Sequence, residues 1–127
     1  MNELVAVLCV SSGAVCGALT RYKITQVAKK YDASVWSTMS INIAGSFVLG
    51  GLVSKQQLNS ISKNNMLLWG TGFCGSLTTF STFAVDFMML IQSQQISKGL
   101  LLLTLTNGAS ISAASLGYIL VKKLSKF

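Results

Sequence analysis

Hydrophobic residues fall in four long blocks along this chain, and the polar residues collect between them. Leu4 to Thr20, Ala33 to Ser54, Asn64 to Val85 and Gly99 to Val121 contain no charged residue. The blocks are 17 to 23 residues long, and an α-helix rising ~1.5 Å per residue needs roughly 20 residues to cross a hydrocarbon core of ~30 Å. Four transmembrane helices in one all-α domain over residues 1–127 are therefore predicted. A barrel is disfavoured because its strands would need only ~9 to 11 residues and would alternate, whereas these blocks are continuous. The first block is read as a membrane helix and not as a secretory signal, since Glu3 is the only charge ahead of it and no basic leading segment is present.

Small and polar residues within the blocks set the detail. In the first, Gly13 and Gly17, flanked by Ala14 and Ala18, have the spacing that lets two helix backbones approach closely. Beyond Arg21 the pattern turns amphipathic: Ile24, Val27, Ala28 and Tyr31 separate from Lys23, Gln26, Lys29 and Lys30, so the helix is expected to run on toward Asp32. The second span, about Val35 to Val53, has Asn42 as its one strongly polar interior residue. An amide there either glues two helices, at on the order of 1 kcal/mol, or offers a donor to a water-filled path. The fourth span sets Ala109, Ala113 and Gly117 on a close-packing face and stacks Thr106 and Ser110 on another. Hydroxyls four residues apart can hand a passing anion from one donor to the next, or simply bond their own helix.

The third span is the irregular one. Gly70, Gly72 and Gly75 precede an unbroken run from Ser76 to Phe83 that is rich in hydroxyls, and such a composition is poor helix material. A break near the middle of this span is predicted, and unwound backbone at membrane depth exposes dipoles that can meet an ion. Phe80, Phe83 and Phe87 follow at i, i+3 and i+7, an aromatic stripe of the kind that ordinarily faces lipid or a neighbour. Asp86 is expected near the interface as a solvated or snorkelling carboxylate.

Charge adds orientation. Ten Lys and Arg stand against three acids, with a formal net charge of +7 and no histidine. The basic residues lie between or after the apolar blocks, which fits interfacial anchors and not nucleic-acid binding. With four spans, one membrane face collects Lys55, Lys63, Lys122, Lys123 and Lys126, and the other Arg21, Lys23, Lys29, Lys30 and Lys98. An even score gives the insertion machinery little instruction, so two copies inserted in opposite senses can pair head to tail. The competing possibility is that long loops or chain ends decide the orientation.

Catalytic chemistry is hard to build here. The acids are Glu3, Asp32 and Asp86 only, and Cys9, Cys16 and Cys74 sit inside apolar blocks without metal-ligand spacing. No mid-membrane ionisable group is available for proton coupling, so passive conduction is the simpler expectation and an enzyme is not expected. No internal repeat or low-complexity segment is present.

Three segments carry a resemblance: Gly17 to Tyr22, Ile41 to Gly51 with Asn42 and Gly45, and Gly72 to Phe83 with its Thr-Thr-Phe-Ser-Thr-Phe string. Together they make the chain similar to the small fluoride channels of the CrcB or Fluc family along nearly its whole length. The resemblance implies a multi-pass protein of the bacterial inner or plasma membrane that forms an antiparallel, dual-topology homodimer in the lipid bilayer. Two fluoride pores would let cytoplasmic fluoride leave down its gradient. It sets Phe80 and Phe83 beside the ion, where electron-poor ring edges attract an anion, and adds Asn42, Ser81, Thr106 and Ser110 as hydrogen-bond donors. It also implies a structural sodium ion at the dimer centre, held by the backbone carbonyls of Gly75 and Thr78 from each chain, and Arg21 in an aqueous vestibule. One departure is visible. The hydroxyl stripe of the fourth span would continue to position 114, where Ala114 stands, with Ser112 or Ser115 as substitutes. The rival readings are a small multidrug-type proton-coupled exporter, which needs a carboxylate that the first span lacks, and an accessory membrane subunit without transport.

Overall fold

The computed structural model describes residues 2–126, and among these the chain is helical throughout apart from short links. Helix α1 is Glu3–Lys29, α2 is Ser34–Gln57, the third block divides into α3 (63–77) and α4 (Phe80–Gln92), and α5 is Ile96–Leu124. Taken as four units, Glu3–Lys29, Ser34–Gln57, Lys63–Gln92 and Ile96–Leu124 are 27, 24, 30 and 29 residues long and apolar enough to cross a membrane. The protein is a multi-pass membrane protein by this measure. The amphipathic continuation of the first helix is present, since α1 runs past Arg21 to Lys29.

Local signals account for the ends. The Asn2 side chain accepts from the Leu4 N–H at 3.2 Å and caps α1, and the Ser62 hydroxyl accepts from the Asn65 N–H at 3.2 Å to open α3. The three inter-span turns each reverse through one left-handed residue, Asp32, Asn59 or Gln94. At Asn59 this lets the Ser60 N–H reach back to the Lys55 carbonyl at 2.9 Å, closing off α2. Within α3, Met66–Cys74 winds as a π-helix, a wide turn that the glycine count did not predict.

Two helix pairs make the bundle: α1 lies along α3, and α2 lies along α5, with α4 resting on α5. Glycine sets both close approaches. A Cβ on Gly13 or Gly17 would collide with the α3 backbone at Leu68 or Phe73, and one on Gly72 would come within 2.6 Å of the Val10 carbonyl. In the second pair, a Cβ on Gly50 would meet the Ala114 carbonyl and one on Gly117 the Phe47 carbonyl. The Gly13 and Gly17 face and the Gly117 face anticipated from the sequence are thus both used, each against a backbone.

Little of the apolar surface is consumed inside one chain. Among the described residues, Ile41, Cys74, Leu77, Phe83 and Leu102 are the buried apolar side chains, while large ones such as Leu8, Val15, Ile111 and Leu116 are exposed. That surface suits lipid tails. Replacing Gly13 by Val should force α1 off α3, because the obstacle is backbone and cannot rotate away. The expected loss is about 1–3 kcal/mol or more, read as a lowered unfolding temperature of the purified protein in detergent. A variant with unchanged thermal stability would contradict this packing.

Candidate functional site

The centre of the molecule is the link between α3 and α4. Thr78 (φ −75, ψ 154) and Thr79 (φ −152, ψ 116) are both extended, so the regular ladder stops at Leu77 and restarts at Phe80. Backbone groups released this way need partners in an apolar medium, where each unpaired one costs several kcal/mol. Asn42 on α2 supplies two of them. Its Nδ2 donates to the Thr79 carbonyl at 3.1 Å, and its Oδ1 accepts from the Thr79 N–H at 2.8 Å. Of the two roles open to this residue, the interhelical one is therefore occupied, with one Nδ2 hydrogen left over.

Thr79 also starts α4. Its Oγ1 accepts from the Thr82 N–H at 3.2 Å and donates to the Thr82 hydroxyl at 3.1 Å. These substitutions leave two carbonyls free of their usual partners. The N–H that would serve Gly75 goes to Asn42, and the N–H that would serve Thr78 goes to Thr79 Oγ1.

Beside the link is a cavity of 210 Å³ lined by Asn42, Ser46, Thr78, Thr79, Phe80, Phe83, Thr106, Asn107 and Ser110. It brings together five of the six residues expected along an ion pathway, from α2, α4 and α5. The Phe80 and Phe83 rings stand 5.7 Å apart at 52°. Phe83 is buried at 3% exposure, whereas Phe80 is 75% exposed and faces outward from this chain. Thr106 Oγ1 and Ser110 Oγ are buried and lack a hydrogen-bond partner among the described residues. Hydroxyls in a membrane helix normally bond their own carbonyls, and neighbours here do so: Thr104 to Leu100 at 2.9 Å and Ser115 to Ile111 at 3.0 Å. Thr106 and Ser110 do not, so their O–H groups remain available to the cavity.

The other expected residues lie apart. Ser81 is exposed, reaches Thr79 Oγ1 at 3.3 Å, and does not line the cavity. Arg21 lines a second cavity of 270 Å³ with Tyr22, Gln26, Lys29, Thr38, Thr79 and Thr82, and Thr79 is the wall common to both. Ala114 and Ser115 line a third space, next to Ser46 and Tyr118. Asp86 lies within α4, which continues to Gln92, and is half-buried with Oδ2 unpartnered among the described residues. Sequence reasoning missed Ser46 and Asn107. Ser46 stands four residues after Asn42 on the same helix face, which was the available signal.

The family model described as CrcB-like protein, Camphor Resistance (CrcB), matches residues 8–118. This chain belongs to the CrcB family. Among its relatives is the fluoride-specific ion channel FluC 1 of Ligilactobacillus salivarius, 43% identical over 109 residues that cover 85% of this chain and 92% of the relative. FluC 2 of Rhodococcus jostii is 36% identical over 88% of this chain and 95% of its own. FluC of Ignicoccus hospitalis, also named a fluoride-specific ion channel, is 32% identical over 95% of this chain and 98% of its own. The three family segments expected from the sequence all lie within the matched range.

If Asn42 holds the link, Asn42→Leu strands the Thr79 N–H and C=O in an apolar setting at about 1–3 kcal/mol each. The Thr79 amide of that variant should exchange with deuterium markedly faster than in the parent protein. Equal exchange would show that something else secures the link.

Proposed function

We propose that this CrcB-family chain is one subunit of a passive fluoride-selective channel, through which cytoplasmic fluoride leaves down its electrochemical gradient without catalytic turnover. The observation that carries the reading is the pair of unpartnered buried hydroxyls, Thr106 and Ser110, facing the same cavity as Phe80 and Phe83. Hydroxyl donors with electron-poor ring edges can replace water around a fluoride ion there without trapping it. The α4 N-terminus opens on the same spot and adds the positive end of a helix dipole. Ser81 acts in this scheme through Thr79, and Arg21 concentrates anions in the adjoining vestibule.

The complete pathway requires a second copy. Phe80 is mostly exposed on one chain, and the five-to-five Lys/Arg count supports opposite insertion of two copies. In the proposed antiparallel homodimer, two third spans cross at their central breaks, and each of two pores is walled by both subunits.

The same geometry suits a structural sodium ion at the dimer centre. Gly75 and Thr78 carry carbonyls without helical partners, at the negative end of the α3 dipole. Oxygen-only donors match a hard cation. Such an ion would tie the two breaks together and offset carbonyl repulsion, while Asn42 and Thr79 hold the backbone in shape.

The exporter alternative gains no support. The only carboxylate of α1 is Glu3 at its first turn, so a proton-coupling acid within that span is missing.

Liposomes containing only this protein should release fluoride far faster than chloride. Phe80→Ile and Phe83→Ile should each lower fluoride efflux by roughly tenfold, the equivalent of losing one ring contact to the ion, with the dimer's mass unchanged by light scattering. Efflux at the parent rate in both variants would reject the assigned role of the rings.

A further inference from the structure

We propose that the ion route leaves the Thr106 and Ser110 cavity past Ser46 into a wide groove between α2 and α5. There Ser46, from the facing helix, takes the place of the hydroxyl absent at Ala114, and Tyr118 with Lys122 forms the mouth. The inference rests on the channel reading above.

Ser46 lines both spaces: the 210 Å³ cavity with Asn42, Thr106 and Ser110, and a 570 Å³ groove with Gly50, Ala114, Ser115 and Tyr118. On α2 it lies one turn beyond Asn42, and on α5 Thr106 and Ser110 border the first space, Ala114 and Tyr118 the second, with Lys122 one turn farther on. The two helices are held together at Gly50, whose missing side chain admits the Ala114 carbonyl. Ser46 is thus the hydroxyl that follows Ser110 along the route, contributed by the opposite helix.

The groove is walled by Leu49, Gly50, Val53, Ala114 and Ile119, with Ser46, Ser115 and Tyr118 as its polar members, so Ser46 is the hydroxyl at its inner end. A serine introduced at 114 would be drawn to its own helix in any case, as Ser115 is to the Ile111 carbonyl at 3.0 Å.

The groove ends in a polar group. The Tyr118 hydroxyl donates to Gln57 Oε1 at 2.5 Å, and Lys122 Nζ lies 5.6 Å from the centre of the Tyr118 ring. That contact keeps an ammonium group at the opening. A fixed positive charge at a mouth raises local anion concentration, an effect that salt screens.

The test is initial fluoride efflux from liposomes for the parent, Ser46→Ala, Ser46→Thr, Ala114→Ser and Lys122→Gln. Loss of a hydrogen bond to a charged partner should lower efflux about tenfold in Ser46→Ala, and Ser46→Thr should restore most of it. Ala114→Ser should stay within about twofold of the parent, and Lys122→Gln should be slower at low ionic strength and match the parent at high salt. Parent-like flux in Ser46→Ala, or a severalfold rise in Ala114→Ser, would overturn the route. If Ser46→Ala fails to assemble, the Ala114 and Lys122 variants decide by the same criteria. A silent parent protein would instead count against the channel reading.

Discussion

Two hydrogen bonds from one side chain hold the centre of this protein in shape. Asn42 takes both the N–H and the C=O of Thr79, so a stretch of chain that would be prohibitively unpaired inside a bilayer becomes affordable there. Every other feature of the site follows. With the Thr79 N–H committed to Asn42, the Gly75 carbonyl is released. With Thr79 turned into a cap, α4 starts at Phe80 and its first turn borders the cavity, with Phe83 buried and Phe80 facing outward.

The break also places opposite partial charges side by side. One helix ends at Leu77 and another begins at Phe80, so a negative dipole end and a positive one meet at the same depth. Carbonyls on one side suit a cation, while amides, hydroxyls and ring edges on the other suit an anion. Close backbone contacts at Gly13, Gly17, Gly50 and Gly117 fix the helices around this point, and bulkier residues there would spread the walls apart.

The four spans were legible in the sequence because a membrane imposes a length and an absence of charge, both of which can be read residue by residue. The glycine faces were legible for a similar reason: only a backbone contact makes strict use of Gly13, Gly17 and Gly117. Which backbone each would meet was not legible, since pairing of α1 with α3 and of α2 with α5 is a tertiary choice. Asn42 announced itself as a polar residue needing a partner, but the identity of that partner depended on the extended conformation of Thr79. The availability of Thr106 and Ser110 likewise could not be read from spacing, because Thr104 and Ser115 have the same chemistry and bond their own helix. Ser46 and Asn107 were overlooked because each is a common polar residue in an apolar block, identifiable only once the neighbouring helix is in position.

The most direct test of the central claim is solid-state fluorine NMR on the protein reconstituted in bilayers, with carbon-13 in the phenylalanine rings and nitrogen-15 in the backbone. Through-space dipolar coupling from a bound fluoride ion to the Phe80 and Phe83 rings is expected, and none in protein-free liposomes at the same fluoride concentration. Bound fluoride that couples to neither ring, and instead to sites remote from the Thr78 and Thr79 link, would contradict it.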